Sequence, residues 1–174
     1  DYQNANGNGG VYNTGWTYRN DGVDIQWASG ENANTVGWTV AGEWMNYTVN
    51  AAIASRYNLN LRHAGTGGVV TIKVDGVTVL ANIGLPSTGG YTTWATTALG
   101  GFNLSAGKHT IQLLINTAGF NINYLRFTAP LSVALTAPAN NATYTAPATI
   151  NLAATAGGTN ITKVDFYIGS ILIG

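Results

Sequence analysis

The sequence holds few groups able to break a bond. Its carboxylates are seven: Asp1, Asp21, Asp24, Glu31, Glu43, Asp75 and Asp165. A glycosidase needs two of them flanking the scissile linkage. Asp21 and Asp24 are close in the chain, and a fold can bring Glu43 near them, so a hydrolytic centre is one reading and ordinary turn and edge carboxylates the other. The two histidines are His63 and His109. His63 shares the parity of Leu59 and Leu61 and is predicted to point inward; His109 follows a Gly107-Lys108 turn. Neither has a cysteine or second histidine at zinc-ligand spacing. The residue types of a Ser-His-Asp triad are present without a nucleophile-elbow sequence. Gly65, Gly67 and Gly68 form a loop that lacks the Lys-Ser/Thr of a phosphate-binding loop.

Groups suited to binding are more plentiful. Charged residues make up 8% of the chain, against about 25% in ordinary globular domains, so Asn, Thr, Ser and Gly must build the polar surface. Five tryptophans and nine tyrosines accompany them. Amides and hydroxyls exchange hydrogen bonds with sugar hydroxyls, and flat rings cover the C–H faces of pyranoses. The composition therefore suits an uncharged, hydroxyl-rich partner, a polysaccharide or oligosaccharide; a surface that binds nothing is the alternative. Seven basic residues balance the seven acidic ones. This argues against nucleic acid, which calls for a basic stripe, and against an anionic membrane surface. Cysteine is absent, so disulfides say nothing about the compartment. No apolar run approaches the roughly 20 residues of a membrane-spanning helix.

The elements that must position these groups are strands. Almost every segment alternates apolar and polar residues and is bounded by Gly, Asn or Pro, the pattern of an all-β sandwich. Residues 43–49 place Met45, Tyr47 and Val49 on one face and Trp44, Asn46 and Thr48 on the other. Residues 56–63 turn Tyr57, Leu59 and Leu61 inward and Asn58, Asn60 and Arg62 outward. Val70, Ile72 and Val74 are predicted buried and Thr71, Lys73 and Asp75 exposed, before an Asp75-Gly76 hairpin turn. Ile111, Leu113 and Ile115 are predicted inward, with Thr110 and Gln112 outward; Ile122, Tyr124 and Arg126 are expected on one side of a closing strand. No helical period holds for three turns. The outward residues, among them Trp44, Asn46, Asn58, Asn60, Arg62, Thr71, Lys73 and Gln112, are expected to share one polar sheet face. Trp44 is either exposed on it or packed under a loop.

A boundary is predicted at Ala129-Pro130, giving a β-sandwich over residues 1–128, a linker over 129–132 and a second β-domain over 133–174. The second part has about three strand patterns where a free-standing sandwich of immunoglobulin type needs roughly seven. Asp1 enters folded-looking sequence directly and Gly174 follows an apolar strand. The chain is therefore expected to be cut from a longer polypeptide, with an open edge and an unfilled core face in its second part.

Residues 1–128 resemble a family 6 carbohydrate-binding module. The matching pieces are Asp1-Tyr2, Gly22-Val-Asp-Ile-Gln26, Asn34-Thr-Val-Gly-Trp38, Ala41-Gly-Glu-Trp44, Tyr47-Thr-Val49, Leu61-Arg-His-Ala64, Thr88-Gly-Gly-Tyr-Thr-Thr-Trp94, Leu104-Ser-Ala-Gly-Lys-His109 and Phe120-Asn-Ile-Asn-Tyr124. None is diagnostic alone; the set in this order is specific. The resemblance implies a jelly-roll β-sandwich that binds sugar in a loop cleft without catalysis. Trp38 and Trp94 would be the gripping aromatics, Asn121 the amide that bonds sugar hydroxyls, and Gln26 would stand where the family often carries an acid. Glutamine still donates and accepts but lacks the stronger charge-assisted bonds of a carboxylate. Trp27, next to Gln26, is a further candidate for the same cleft, and Trp16 has no assignment. Trp44 matches the aromatic of a second site that some members carry on the concave sheet face. A structural calcium near Asp1 belongs to the family pattern, but the usual Glu-x-Glu before Asp1-Tyr2 is absent here. Residues 131–174 resemble the first half of a bacterial immunoglobulin-like domain, through Thr136-Ala-Pro138, Asn140-Asn141 and Lys163-Val-Asp-Phe-Tyr-Ile-Gly169.

The resemblance further implies a secreted, monomeric module that holds a parent glycoside hydrolase, in the same polypeptide, on a neutral polysaccharide. β-Glucan is favoured, with xylan or agarose as alternatives. Two other functions stay open: a structural or adhesive module with Trp38 and Trp94 buried, and a glycosidase.

Overall fold

The computed structural model describes residues 23–158 and 161–174. Thirteen strands are present among them: β1 (Ile25–Ala28), β2 (Ala33–Val36), β3 (Trp44–Ala51), β4 (Ser55–Gly65), β5 (Gly68–Val74), β6 (Val77–Leu85), β7 (Gly90–Leu104), β8 (Gly107–Thr117), β9 (Phe120–Thr128), β10 (Ser132–Ala137), β11 (Ala153–Gly157), β12 (Tyr167–Ile168) and β13 (Ile171–Leu172). The chain divides into two compact units, the first ending at Phe127 and the second beginning at Thr128.

The first unit is a sandwich of a five-stranded sheet, β1-β2-β9-β4-β7, and a four-stranded sheet, β3-β8-β5-β6. Its core follows the two-residue period of the sequence. Leu59 and Leu61 of β4, Val70 and Ile72 of β5 and Ile111 and Leu113 of β8 are fully buried, and Ile115, Phe120 and Ile122 nearly so. Each such side chain contributes about 1.5–3 kcal/mol by leaving water. Strand β8 lies between β3 and β5 and pairs Ile111 with both Tyr47 and Val74, so its inward residues sit at the centre of the core.

The predicted single polar face is in fact two. Trp44, Asn46, Lys73 and Gln112 belong to the four-stranded sheet, whereas Asn58, Asn60 and Arg62 lie on β4 of the other. Parity separates inside from outside but does not say which sheet a strand joins. Two local expectations also change. Thr71 is buried, because β5 and β6 slip register beside it and its hydroxyl accepts the Asn82 backbone N–H at 3.1 Å. On β9, Leu125 and Phe127 pack against the core in place of Tyr124 and Arg126. Arg126 instead lies over the Tyr124 ring, 5.1 Å from its centroid.

The second unit holds two two-stranded sheets, β10-β11 and β12-β13. The strand expected over 163–168 reduces to Tyr167–Ile168, paired to Ile171–Leu172 across a turn at Gly169. Leu131, just before β10, and Val133 and Leu135 along it are exposed.

Candidate binding cleft

At one end of the sandwich a cleft of about 410 Å3 is lined, among the described residues, by Gln26, Trp38, Thr39, Tyr91, Gly119, Phe120 and Asn121. That size suits a small-molecule or oligomer site. Gln26 comes from β1, Tyr91 from the start of β7, Phe120 and Asn121 from the start of β9, and Trp38 and Thr39 from the β2–β3 loop.

Local hydrogen bonds fix that loop. Trp38 has φ of +50°, a left-handed conformation that costs a bulky residue about 1–2 kcal/mol. It is held on either side: Gly37 N–H donates to the Asp24 carbonyl at 3.0 Å, and the Thr39 hydroxyl donates to the Phe120 carbonyl at 2.9 Å. Val40 N–H donates to the Glu43 carboxylate at 2.7 Å, and Gly42 N–H to the Ile115 carbonyl at 2.8 Å. Burial pushes the Glu43 carboxyl above the usual carboxylate range, the Val40 bond opposes this, and nearby Asp24 adds to the rise. Across the cleft, Asn121 Nδ2 donates to the Tyr91 carbonyl at 3.1 Å. Phe120, almost fully buried, meets His63 edge to face with centroids 6.5 Å apart.

The structure thus brings Gln26, Trp38 and Asn121 together, as expected from the sequence. Trp94 is not among the lining residues. It lies half-buried on β7, three positions beyond Tyr91, within a stretch where the β4–β7 register shifts between the Gly65–Gly90 and His63–Ala95 pairs. Tyr91, in the same Gly89-Gly90-Tyr91 segment, occupies the cleft; its closeness to the flanking glycines was the available signal. Trp27 is exposed on β1 but does not line the cleft. Trp44 is half-buried on the outer face of β3, near an Asn46–Gln112 amide bond of 3.2 Å. Asp1, Trp16 and Asp21 lie outside the described residues, and with them the calcium expectation. Among the described residues no group of three His, Cys, Asp or Glu side chains is placed to hold a metal ion.

No carboxylate lines the cleft among the described residues. Asp24 and Glu43 are buried. Glu31 receives a bidentate pair of bonds from Arg62, at 2.9 and 2.7 Å, and a 2.8 Å bond from Asn123; the Arg62 bond holds its carboxyl below the usual range. Asp75 accepts from Thr110 N–H at 2.8 Å and bonds His109 Nδ1 at 2.7 Å. Ser105 Oγ lies 3.2 Å from His109 Nε2, which completes the outline of a Ser-His-Asp triad. That nitrogen also lies 3.0 Å from the Ser105 carbonyl. Both ring nitrogens therefore face acceptors, and the Asp75 bond first, then the Ser105 carbonyl, raise the histidine's pKa. His109 Nε2 is shared between the Ser105 hydroxyl and carbonyl, and Asp75, Ser105 and His109 all lie outside the cleft lining. Two aromatic rings, amides and a hydroxyl suit stacking and neutral hydrogen bonding, not acid–base chemistry.

Comparison with known proteins agrees with this geometry. Residues 14–129 match the family model "Carbohydrate binding module (family 6)", and residues 132–174 match "Bacterial Ig domain". Among solved structures, a carbohydrate-binding module of lichenase 5A from Cellvibrio mixtus, in complex with cellotriose, is 31% identical, with a TM-score of 0.50 over 60% of this chain and 83% of that one. A family 35 module from Clostridium thermocellum is 23% identical, with a TM-score of 0.54 over 61% of this chain and 87% of that one. A further family 6 module is 18% identical at a TM-score of 0.54, over 62% of this chain and 82% of that one. No curated protein matches the chain.

Proposed function

The chain belongs to family 6 of the carbohydrate-binding modules, and on that premise we propose that it binds a neutral polysaccharide in the cleft between Trp38 and Tyr91. The family and its structural neighbours are non-catalytic binding modules. The observation that carries the proposal is the lining itself: two exposed or half-exposed aromatics, the amides of Gln26 and Asn121, and no charged side chain among the described residues. Rings stack on the C–H faces of a pyranose, and each amide bond to a hydroxyl adds a net of about 0.5–1.5 kcal/mol. Single-site affinity is then modest, roughly micromolar to millimolar.

β-Glucan is the favoured ligand, because the 31% identical lichenase module was solved with a glucose trisaccharide; xylan and agarose are the alternatives. In this reading the module is secreted, monomeric, and tethers a parent glycoside hydrolase to its substrate. Affinity electrophoresis against barley β-glucan, laminarin, xylan and agarose tests it. Retardation in one or more gels is expected, and migration unchanged in all of them would exclude sugar binding.

A further inference from the structure

The Gly65-Thr-Gly-Gly68 turn between β4 and β5 lines no part of the cleft, yet the segments that do line it are bonded to this turn. On one side, Thr66 N–H donates to the Gly119 carbonyl at 2.8 Å, and its hydroxyl to the same oxygen at 3.2 Å. The backbones approach so closely that a Cβ at Gly65 would overlap Gly119 O and lie 2.6 Å from Phe120 Cα. A Cβ at Gly119, whose φ is +120°, would lie 2.7 Å from Gly67 O. Glycine is needed here for space as well as for conformation.

On the other side, Gly65 pairs with Thr88. Gly65 N–H donates to Thr88 Oγ1 at 2.8 Å and Thr88 N–H to Gly65 O at 2.9 Å. The Thr88 hydroxyl proton is directed to Gly65 O or Gly90 O, each at 3.2 Å. Gly90 precedes Tyr91, whose carbonyl accepts from Asn121. The turn, the Thr88–Tyr91 segment and the Gly119–Asn121 segment thus close a ring of hydrogen bonds around the back of the cleft.

We propose that Thr88 is a positioning residue of the sugar site, acting through the Gly65–Gly68 turn to hold Tyr91 and Asn121 in register; this rests on the cleft being the sugar site. Thr88→Val keeps the shape of the side chain and removes the hydroxyl. It leaves the buried Gly65 N–H without its acceptor and Gly90 without one of its restraints.

The test compares wild type, Thr88→Val, Thr88→Ser and Ile111→Val, the last a core change in the middle of β8. The Asn121 side-chain amide resonances are followed by NMR without ligand, and cellotriose affinity by calorimetry. Expected for Thr88→Val are displaced Asn121 amide resonances and an affinity weaker by roughly five- to tenfold, the loss of about one hydrogen bond. Thr88→Ser restores both, and Ile111→Val moves neither. Unmoved Asn121 resonances in Thr88→Val overturn the inference, as does recovery of neither property in Thr88→Ser. If Thr88→Val does not fold, Thr88→Ala, which removes the same hydroxyl bonds to Gly65 and Gly90, is read by the same criteria. A wild type that binds no glycan overturns the sugar reading, while the Asn121 resonances still decide whether Thr88 positions that residue.

Discussion

Asn121 and Tyr91 meet through a single bond, from the Asn121 side-chain nitrogen to the Tyr91 carbonyl at 3.1 Å, and that bond orients the amide on one wall of the cleft. One N–H is committed to the backbone of β7. Among the described residues the other N–H and the oxygen make no further bond, so Asn121 can serve a sugar hydroxyl as donor and as acceptor. Gly37 allows this placement, since a Cβ there would lie 3.0 Å from Asn121 Oδ1.

Asn121→Asp tests that wiring with almost no change in shape. A carboxylate oxygen would face the Tyr91 carbonyl, acceptor against acceptor, and the side chain would turn away. Affinity for the bound glycan should fall by tenfold or more, corresponding to about 1.4 kcal/mol. Calorimetry at pH 7 checks this, and an affinity within twofold of wild type would remove Asn121 from the site.

The aromatic contributions separate by position. Trp38 and Tyr91 line the cleft and Trp94 does not. Trp38→Ala and Tyr91→Ala should each abolish retardation in affinity gels, whereas Trp94→Phe should retain it. Loss of retardation in Trp94→Phe, with the fold intact by circular dichroism, would move the site along β7. Loss only in Trp44→Ala would move it to the outer face of β3.

Much of this was legible in the chain, for reasons that also mark the limit. The parity of Leu59, Leu61, Ile111 and Leu113 identified the core because a strand alternates faces along its length. Parity did not assign Asn58 and Asn46 to different sheets, since sheet membership depends on partners distant in sequence. Short motifs singled out Gln26, Trp38 and Asn121, which the fold brings to one cleft. Tyr91 was not singled out because Tyr91 and Trp94 share one Gly- and Thr-rich segment, and the register shift between Gly90 and Ala95 that separates the two rings depends on the distant strand β4. The bonds from Arg62 and Asn123 to Glu31 span 31 and 92 residues, and no local pattern announces them.

Gln26→Glu changes the one cleft position where the family often has an acid. A carboxylate makes stronger bonds to hydroxyls than an amide, about 1.5–3 against 0.5–1.5 kcal/mol. If Gln26 touches the ligand, the variant should bind more tightly by roughly three- to tenfold at pH 7. The gain should vanish below about pH 4, where a glutamate protonates. Calorimetry at both pH values decides it; an unchanged affinity at both would place Gln26 out of reach of the sugar.

The two histidines should oppose each other in the pH dependence of stability. His109 joins the Asp75 turn to the Ser105 segment, and those bonds raise its pKa above the ordinary 6.5. Its contribution is fully present below pH 6.5 and is lost as pH rises through the folded value. Asp75, lowered from 3.8 first by the His109 bond, contributes above that pH and loses its effect as pH falls through its own folded value. The clasp is therefore strongest between about pH 4 and 6.5. His63 behaves oppositely. It is wholly buried, Nε2 meets Thr97 Oγ1 at 2.8 Å, and Nδ1 has no partner among the described residues. Burial, then the neighbouring Arg62, lowers its pKa, so folding is penalised as pH drops below 6.5 and the unfolded chain takes up the proton. In wild type the two effects have opposite signs in adjacent windows, His109 adding stability as pH falls to 6.5 and His63 removing it below 6.5. His109→Gln removes the stabilising one and should expose the other, so its melting temperature should fall from pH 7 to pH 5 more steeply than that of wild type. Because His109 begins β8 and Gly119 follows its end, roughly 30 Å apart along an extended strand, sugar affinity at pH 7 should be unchanged. Parallel melting curves for the two proteins from pH 5 to pH 7 would contradict the opposition.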